Sequence, residues 1–221
     1  MTTEALAAVA RTREGALGIE QVMLDDPCRG ELLVRLEACG ICHTDMKFRE
    51  RLPLPAVLGH EGVGIVEAVG SDVRHARVGD RVLISYPFCT ECPACRRAEP
   101  WCCERIGELK FGGRRLDGSQ PVSVQGAGVT SAFFQQSSFA THAITLEQSV
   151  IPVAEQLPAA TLAALPCGVQ TGAGAVMNTF GAGPGDSLMV FGAGAVGISA
   201  IRAARVAGLG TVICAEPLAG R

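Results

Sequence analysis

The chain has 221 residues, 48% hydrophobic and 19% charged, with 22 acidic and 19 basic side chains and a formal net charge of −3. That balance gives no cationic footprint for nucleic acid or an anionic membrane, and the length suits one or two domains of roughly 100–150 residues each. Ten cysteines are the outlier, and their meaning depends on the redox compartment.

The N-terminus, MTTEALAAVARTREG, places Glu4 before any apolar stretch and lacks the cationic and cleavage regions of a signal peptide. A cytoplasmic location without a disulfide framework is expected. Glu31–Ala38 alternates Leu32, Val34, Leu36 and Ala38 with Glu31, Arg35 and Glu37, the period of a half-buried strand. Gly62–Val69 and Arg81–Ser85 are further strands, with a turn at Val78-Gly79-Asp80 before the second. From Phe88 to Pro121 no period holds, so a loop or lobe in need of its own staple is expected, and Phe139–Thr145 returns to strand character. Beyond Pro152 and Pro158 the texture becomes rich in Ala and Gly, with strand Ser187–Phe191, helix Val196–Ala207, a stop at Gly208 and strand Thr211–Ala215, one βαβ unit. The longest nearly apolar run, Leu188–Ile201, is 14 residues with three glycines, short of the roughly 20 a membrane span needs.

Cys89, Cys92, Cys95 and Cys103 follow C-x2-C-x2-C-x7-C, a spacing that closes a tetrahedral four-thiolate zinc site with no position for substrate. Cys102 offers an alternative fourth ligand. CGICHTD (Cys39–Asp45), GHEG (Gly59–Gly62) and Cys167 in LPCGVQTG are weaker signals, each read singly as a packed cysteine or a satisfied histidine. Cys28, Cys39 and Cys214 read as small thiols, and His75 and His142 have no motif around them. FGAGAVG supplies G-x-G-x-x-G from Gly192, Gly194 and Gly197 between a strand and a helix. There the first glycine allows a tight turn, the second a close approach of pyrophosphate, and the third close packing of helix on strand. Glu216, 22 residues beyond Gly194, suits the adenosine ribose hydroxyls and favours NAD over NADP; Arg221 is a competing cation for a phosphate.

Together CGICHTD, PLPAVLGHEGVGIVEAVG, QSSFATHA, CGVQTGAGAV and VFGAGAVG resemble the zinc-dependent medium-chain alcohol dehydrogenases, and their wording is similar to the benzyl (aryl) alcohol dehydrogenase branch. The resemblance runs from about Leu17 onward. It implies a mixed α/β chain, a GroES-like β-rich catalytic domain over 1–155 with a zinc lobe at about 88–121, followed over 156–221 by a linking helix and an incomplete Rossmann domain. It implies a catalytic zinc on Cys42, His60 and Cys167, with Glu61 as an alternate ligand and Asp45 orienting the histidine, beside a structural zinc on the four-cysteine loop. Thr44 matches the hydroxyl that takes the alcohol proton, His43 the side chain on the cofactor pyrophosphate, and Thr171 and Val196 the residues flanking the nicotinamide. Lys47 stands where many relatives extend the proton relay with histidine. Ser85 stands where small-alcohol enzymes carry a bulky aromatic, which leaves room for an aryl ring.

The implied reaction is hydride transfer from a primary aryl alcohol to NAD, giving the aldehyde. S-(hydroxymethyl)glutathione or a short alcohol is the alternative substrate, and the parent protein is expected to form a homo-oligomer with no nucleic-acid or membrane partner. A doubly wound domain has about six strands, but only 34 residues run from Leu188 to Arg221, so an inactive zinc-binding fragment that binds NAD poorly is the third expectation.

Overall fold

The computed structural model describes residues 2–153 and 157–220 and comprises two compact units, Met1–Ala163 and Ala164–Arg221. The boundary expected between 155 and 156, and Arg221, lie outside the described residues.

The first unit contains β1 (Thr3–Ala10), β2 (Gly18–Leu24), β3 (Glu31–Cys39), β4 (Ala56–Val57), β5 (Gly62–Val69), β6 (Arg81–Ile84), β7 (Val122–Val124), β8 (Ala127–Gly128), β9 (His142–Leu146) and β10 (Val150–Pro152). They form two five-stranded sheets, ordered β4-β1-β2-β7-β8 and β10-β6-β5-β3-β9, whose paired strands are antiparallel. One core joins them: Ala5, Val9, Val22 and Leu24 of the first sheet meet Leu33 and Ile144 of the second. Leu32 and Val34 turn the other way, onto Val66, Val82 and Ile84.

β3 therefore corrects the half-buried reading. Glu31 through Val34 are all buried because both faces of the second sheet are covered at that end, as happens to strands enclosed in two cores. Glu31 can be buried there because Arg115 meets it in a two-pronged pair, Nε donating to Oε1 at 2.8 Å and Nη2 to Oε2 at 3.0 Å, while Nη1 donates to Asp25 at 2.8 Å. Arg115 comes from the stretch that showed no period.

That stretch is not uniformly loop. It carries two short helices, which we number after α1 (His43–Arg49): α2 (Pro93–Arg96) and α3 (Ile106–Phe111). Six residues or fewer give too few turns for a legible apolar stripe. α1 is pinned at its end by buried Arg49, whose guanidinium donates to the carbonyls of Thr12, Glu14 and Gly15. β9 starts at His142, three residues later than expected, since Phe139 and Thr141 spend their backbone N–H groups on Leu58 and Leu6 instead. α4 (Ala159–Leu162) closes the unit with Leu162 buried.

The second unit holds α5 (Gln170–Gly174), β11 (Ser187–Phe191), α6 (Ala195–Val206) and β12 (Thr211–Ala215). β11 and β12 pair in parallel from Ser187↔Thr211 to Phe191↔Ala215, and the strands match the sequence reading residue for residue. Val176, Ala203, Ala204 and Leu209 form its core. Gly172 lets α5 lie against α6, since a Cβ there would sit 2.3 Å from the Val196 carbonyl oxygen. Gly208 ends α6 at φ +79°, the left-handed position that stops a helix. The stretch Leu165–Val169 is wound as π-helix around Pro166, which has no N–H for an ordinary helical bond. By length and hydropathy the 21-residue helical stretch Ala159–Thr179 is long enough to cross a membrane, a length the reading of apolar runs did not register. A third of its apolar window is buried, Gly172 and Val176 among the buried residues.

Replacing Arg115 with Leu strands the Glu31 carboxylate in the core. A loss of about 3–5 kcal/mol is expected, read as a lower urea midpoint, with much of it recovered in Arg115→Leu/Glu31→Leu.

Candidate metal centres and dinucleotide loop

The sulfurs of Cys89, Cys92, Cys95 and Cys103 lie within 4.8 Å of one another. Short spacing turns the backbone inward: the Cys89 N–H points at the Cys103 sulfur and the Cys92 N–H at the Cys89 sulfur, each at 3.3 Å. Backbone N–H groups of Cys95 and Glu104 pull the Cys92 thiol down to about 6, while desolvation and the adjoining sulfurs push Cys95 up to about 12. Four sulfurs so close cannot all ionise without a cation among them, and the donor set fits a tetrahedral zinc. Cys103 is buried and Cys102 exposed, so the choice the spacing left open falls on Cys103. Leu109 of α3 packs on Cys89 and Cys103.

A second cluster is built by α1 and the loop before β5, where Cys42, His60 and Glu61 bring their ligand atoms within 4.8 Å of one another. Cys42 is the residue before α1 and Asp45 its third helical residue, so the Asp45 carboxylate reaches back to the Cys42 N–H at 2.8 Å. Its other oxygen accepts from the Gly59 N–H at 3.1 Å and pairs with His60 Nδ1 at 2.9 Å. An ionised carboxylate only accepts, so Nδ1 donates to it, which leaves Nε2 as the nitrogen that can bind a metal once its own proton is displaced. His60 Nε2 is buried and has no hydrogen-bond partner among the described residues, an arrangement that a metal ion at Nε2 completes. Burial works against a charge on His60, but the Asp45 and Cys42 groups outweigh it and lift its pKa to about 9. Backbone fit is tight here too: a Cβ on Gly40 would fall 1.9 Å from a Glu61 carboxylate oxygen, and Gly59 turns at φ +92° with Phe139 N only 2.4 Å from where its Cβ would be.

The wall behind His60 was not foreseen. Phe134 stacks on the imidazole at 4.5 Å and Phe133 meets it edge-on at 5.7 Å. Lys110 Nζ lies 4.9 Å from the Tyr86 ring and 5.6 Å from that of Phe134. Gln136 donates to the His60 carbonyl at 3.1 Å and accepts from the Gly62 N–H at 3.2 Å. The only sequence signal for this wall was the polar run beginning QSS within an otherwise apolar stretch. Thr44 is half-buried on α1, His43 and Lys47 are exposed, and Ser85 is buried just after β6.

In the second unit Cys167 is half-buried in the π-wound segment, and Thr171 and Val196 are exposed. Gly192 turns at φ +97°, Gly194 precedes α6, and a Cβ on Gly197 would collide with the Gly192 carbonyl oxygen at 1.9 Å. Glu216 sits directly after β12 and accepts from the N–H groups of Ala193 and Leu218, both at 2.8 Å. The carboxylate thus abuts the glycine loop, and the loop and helix start present the features that fit a dinucleotide phosphate.

Residues 28–155 match the family model described as "Alcohol dehydrogenase GroES-like domain". This chain belongs to the zinc-type medium-chain alcohol dehydrogenase family. Among family members it is 46% identical over 220 residues to a geraniol dehydrogenase of Castellaniella defragrans, covering 98% of this chain and 59% of the relative. A zinc-binding-domain alcohol dehydrogenase structure from Burkholderia ambifaria superposes with a TM-score of 0.97 at 42% identity, over 100% of this chain and 60% of that one. The benzyl alcohol dehydrogenase of Acinetobacter calcoaceticus gives 0.93 at 37%, over 99% and 60%. The chain therefore spans about 60% of the length of these relatives.

Cys103→Ser is expected to remove one equivalent of zinc by atomic absorption, whereas Cys102→Ser keeps it. A metal ion held by His60 and Cys42 must displace protons from both, and the His60 pKa is raised, so affinity there should rise steeply with pH through the neutral range. Competition with a chromogenic chelator across pH 6–9 measures it; a flat profile would contradict metal binding by these two side chains.

Proposed function

We propose that this chain supplies the metal centre and the opening of the dinucleotide site of an NAD-linked dehydrogenase oxidising benzyl-type primary alcohols to aldehydes. The observation that carries the reading is the buried, unpartnered His60 Nε2 beside Cys42 and Glu61, its opposite nitrogen held by Asp45. Cys42, His60 and Cys167 would hold the catalytic zinc, with Glu61 as the alternate ligand; support for Cys167 comes from the resemblance of LPCGVQTG. Zinc with three protein ligands and one open position acidifies an alcohol, as it lowers the pKa of water to about 7.

The remaining steps belong to this chain's side chains. The Thr44 hydroxyl would take the alcohol proton, and Lys47 or solvent would carry it onward in place of the histidine found in many relatives. His43 would meet the pyrophosphate of a bound dinucleotide, for which the Gly192-Gly194-Gly197 turn and the α6 N-terminus would be the cradle. Thr171 and Val196 would flank the nicotinamide, and Glu216 would accept from the ribose hydroxyls. The small Ser85 leaves space for a planar group. Geraniol and benzyl alcohol, the alcohols in the names of two relatives, both carry a primary carbinol on an sp2 carbon, which favours a flat unsaturated substrate over ethanol.

In the full-length protein, benzyl alcohol and geraniol are expected to give the highest kcat/KM, with ethanol and S-(hydroxymethyl)glutathione far lower. Cys42→Ala should reduce alcohol-dependent formation of NADH to background; wild-type turnover in that variant would refute the reading.

A further inference from the structure

We propose that Phe134 positions His60 for metal binding and makes that position depend on the folded four-cysteine lobe. The inference rests on the reading of His60 as a metal ligand. One hydrogen bond to Asp45 directs Nδ1 but leaves the imidazole plane free to pivot, and the direction of the Nε2 lone pair follows the plane. The Phe134 ring, 4.5 Å away and within 24° of parallel, supplies that second restraint.

Phe134 is in turn held from the lobe. Phe111, the last residue of α3, meets it edge-on at 5.5 Å and stacks on Phe48 of α1 at 4.0 Å. Leu109 of the same helix packs on Cys89 and Cys103. The neighbouring Gln135 carboxamide donates to the carbonyls of Leu109 at 3.2 Å and Arg114 at 3.0 Å. Phe134 and Gln135 have φ of 53° and 51°, with Ala132 and Ser137 also left-handed. Side-chain-bearing residues stay in that region only where their surroundings over-determine it. Within the wall the Ser137 hydroxyl does part of this, accepting from the Phe133 N–H at 2.9 Å and donating to the Val57 carbonyl at 2.6 Å. The α3 contacts do the rest, and Leu109 ties α3 in turn to the sulfur cluster. Loss of the lobe releases the left-handed segment, and the ring leaves the imidazole.

The test is cobalt titration of the 221-residue chain, following thiolate charge-transfer and d–d absorption, with Cys95→Ser used to identify the four-sulfur signal. Phe134→Leu, which keeps bulk but removes the ring, is expected to weaken the His60 site by about tenfold or more, to broaden its d–d bands and to leave four-sulfur affinity unchanged. Phe134→Tyr should recover most of the loss. Cys95→Ser should also weaken the His60 site in the wild-type background but add little to Phe134→Leu, the non-additivity expected of one shared path. Two cobalt equivalents with equal affinity in wild type and Phe134→Leu would overturn the proposal alone. Binding of one equivalent by wild type, in the four-sulfur site only, would overturn both it and the reading of His60. If Cys95→Ser fails to fold, the comparison of Leu with Tyr at position 134 decides.

Discussion

The first unit's chemistry depends on one buried carboxylate. Asp45 is fully shielded from solvent and accepts from the Cys42 N–H, the Gly59 N–H and His60 Nδ1 at once. Those three groups come from a helix start and from a loop 14 residues further along the chain, so a single side chain sets the distance between two proposed ligands. It also fixes which imidazole nitrogen faces inward. A neutral hydrogen-bonding residue would keep the shape but weaken the bond, since charge-assisted hydrogen bonds are roughly twice as strong as neutral ones. The cost of burying Asp45 is offset by these three donors, and its pairing with His60 favours positive charge on the imidazole, a role that a cation at Nε2 would take over.

Around this pair the structure repeats one device, a buried polar side chain held by fixed partners. Gln136 ties the His60 carbonyl to the Gly62 N–H, and Arg115 neutralises Glu31 beneath the second sheet. Such groups are costly when unpaired, so they discriminate against slipped registers in a unit with two shifts in the β3–β5 pairing. The four-sulfur lobe follows the same logic with a metal in place of a hydrogen-bond partner. Leu109, Phe88, Ile106 and Leu146 pack around the sulfurs, and a metal on the donor set would add to the cohesion they supply.

The second unit shows how tightly sequence can constrain backbone. Gly192 and Gly197 are required by a turn and by a 1.9 Å approach that no Cβ could share, and both strands and the helix of the βαβ unit were readable from period and punctuation to within a residue. Glu216 was placed at the glycine loop by its distance along the chain, and the parallel register brings it there. The π-wound turn holding Cys167 was invisible, because Pro166 in an Ala-rich run signals a disturbance of the helix without stating which one.

Sequence by itself determined what depends on neighbours along the chain: strand and helix periods, the glycine turns and the four-cysteine spacing, while motif resemblance pointed to Cys42, His60 and Cys167 as one set with Glu61 as its alternate. Tertiary structure alone decided what depends on residues distant in sequence. It chose Cys103 over Cys102 by burying one and exposing the other. It buried Glu31 on a strand that reads as half-exposed, because Arg115, 84 residues away, arrives to pair with it. It also raised the Phe133–Phe134 wall against His60 from a segment whose left-handed backbone no local preference favours. Local preference acts over a few residues, whereas burial and charge pairing are settled only when the two sheets close on each other.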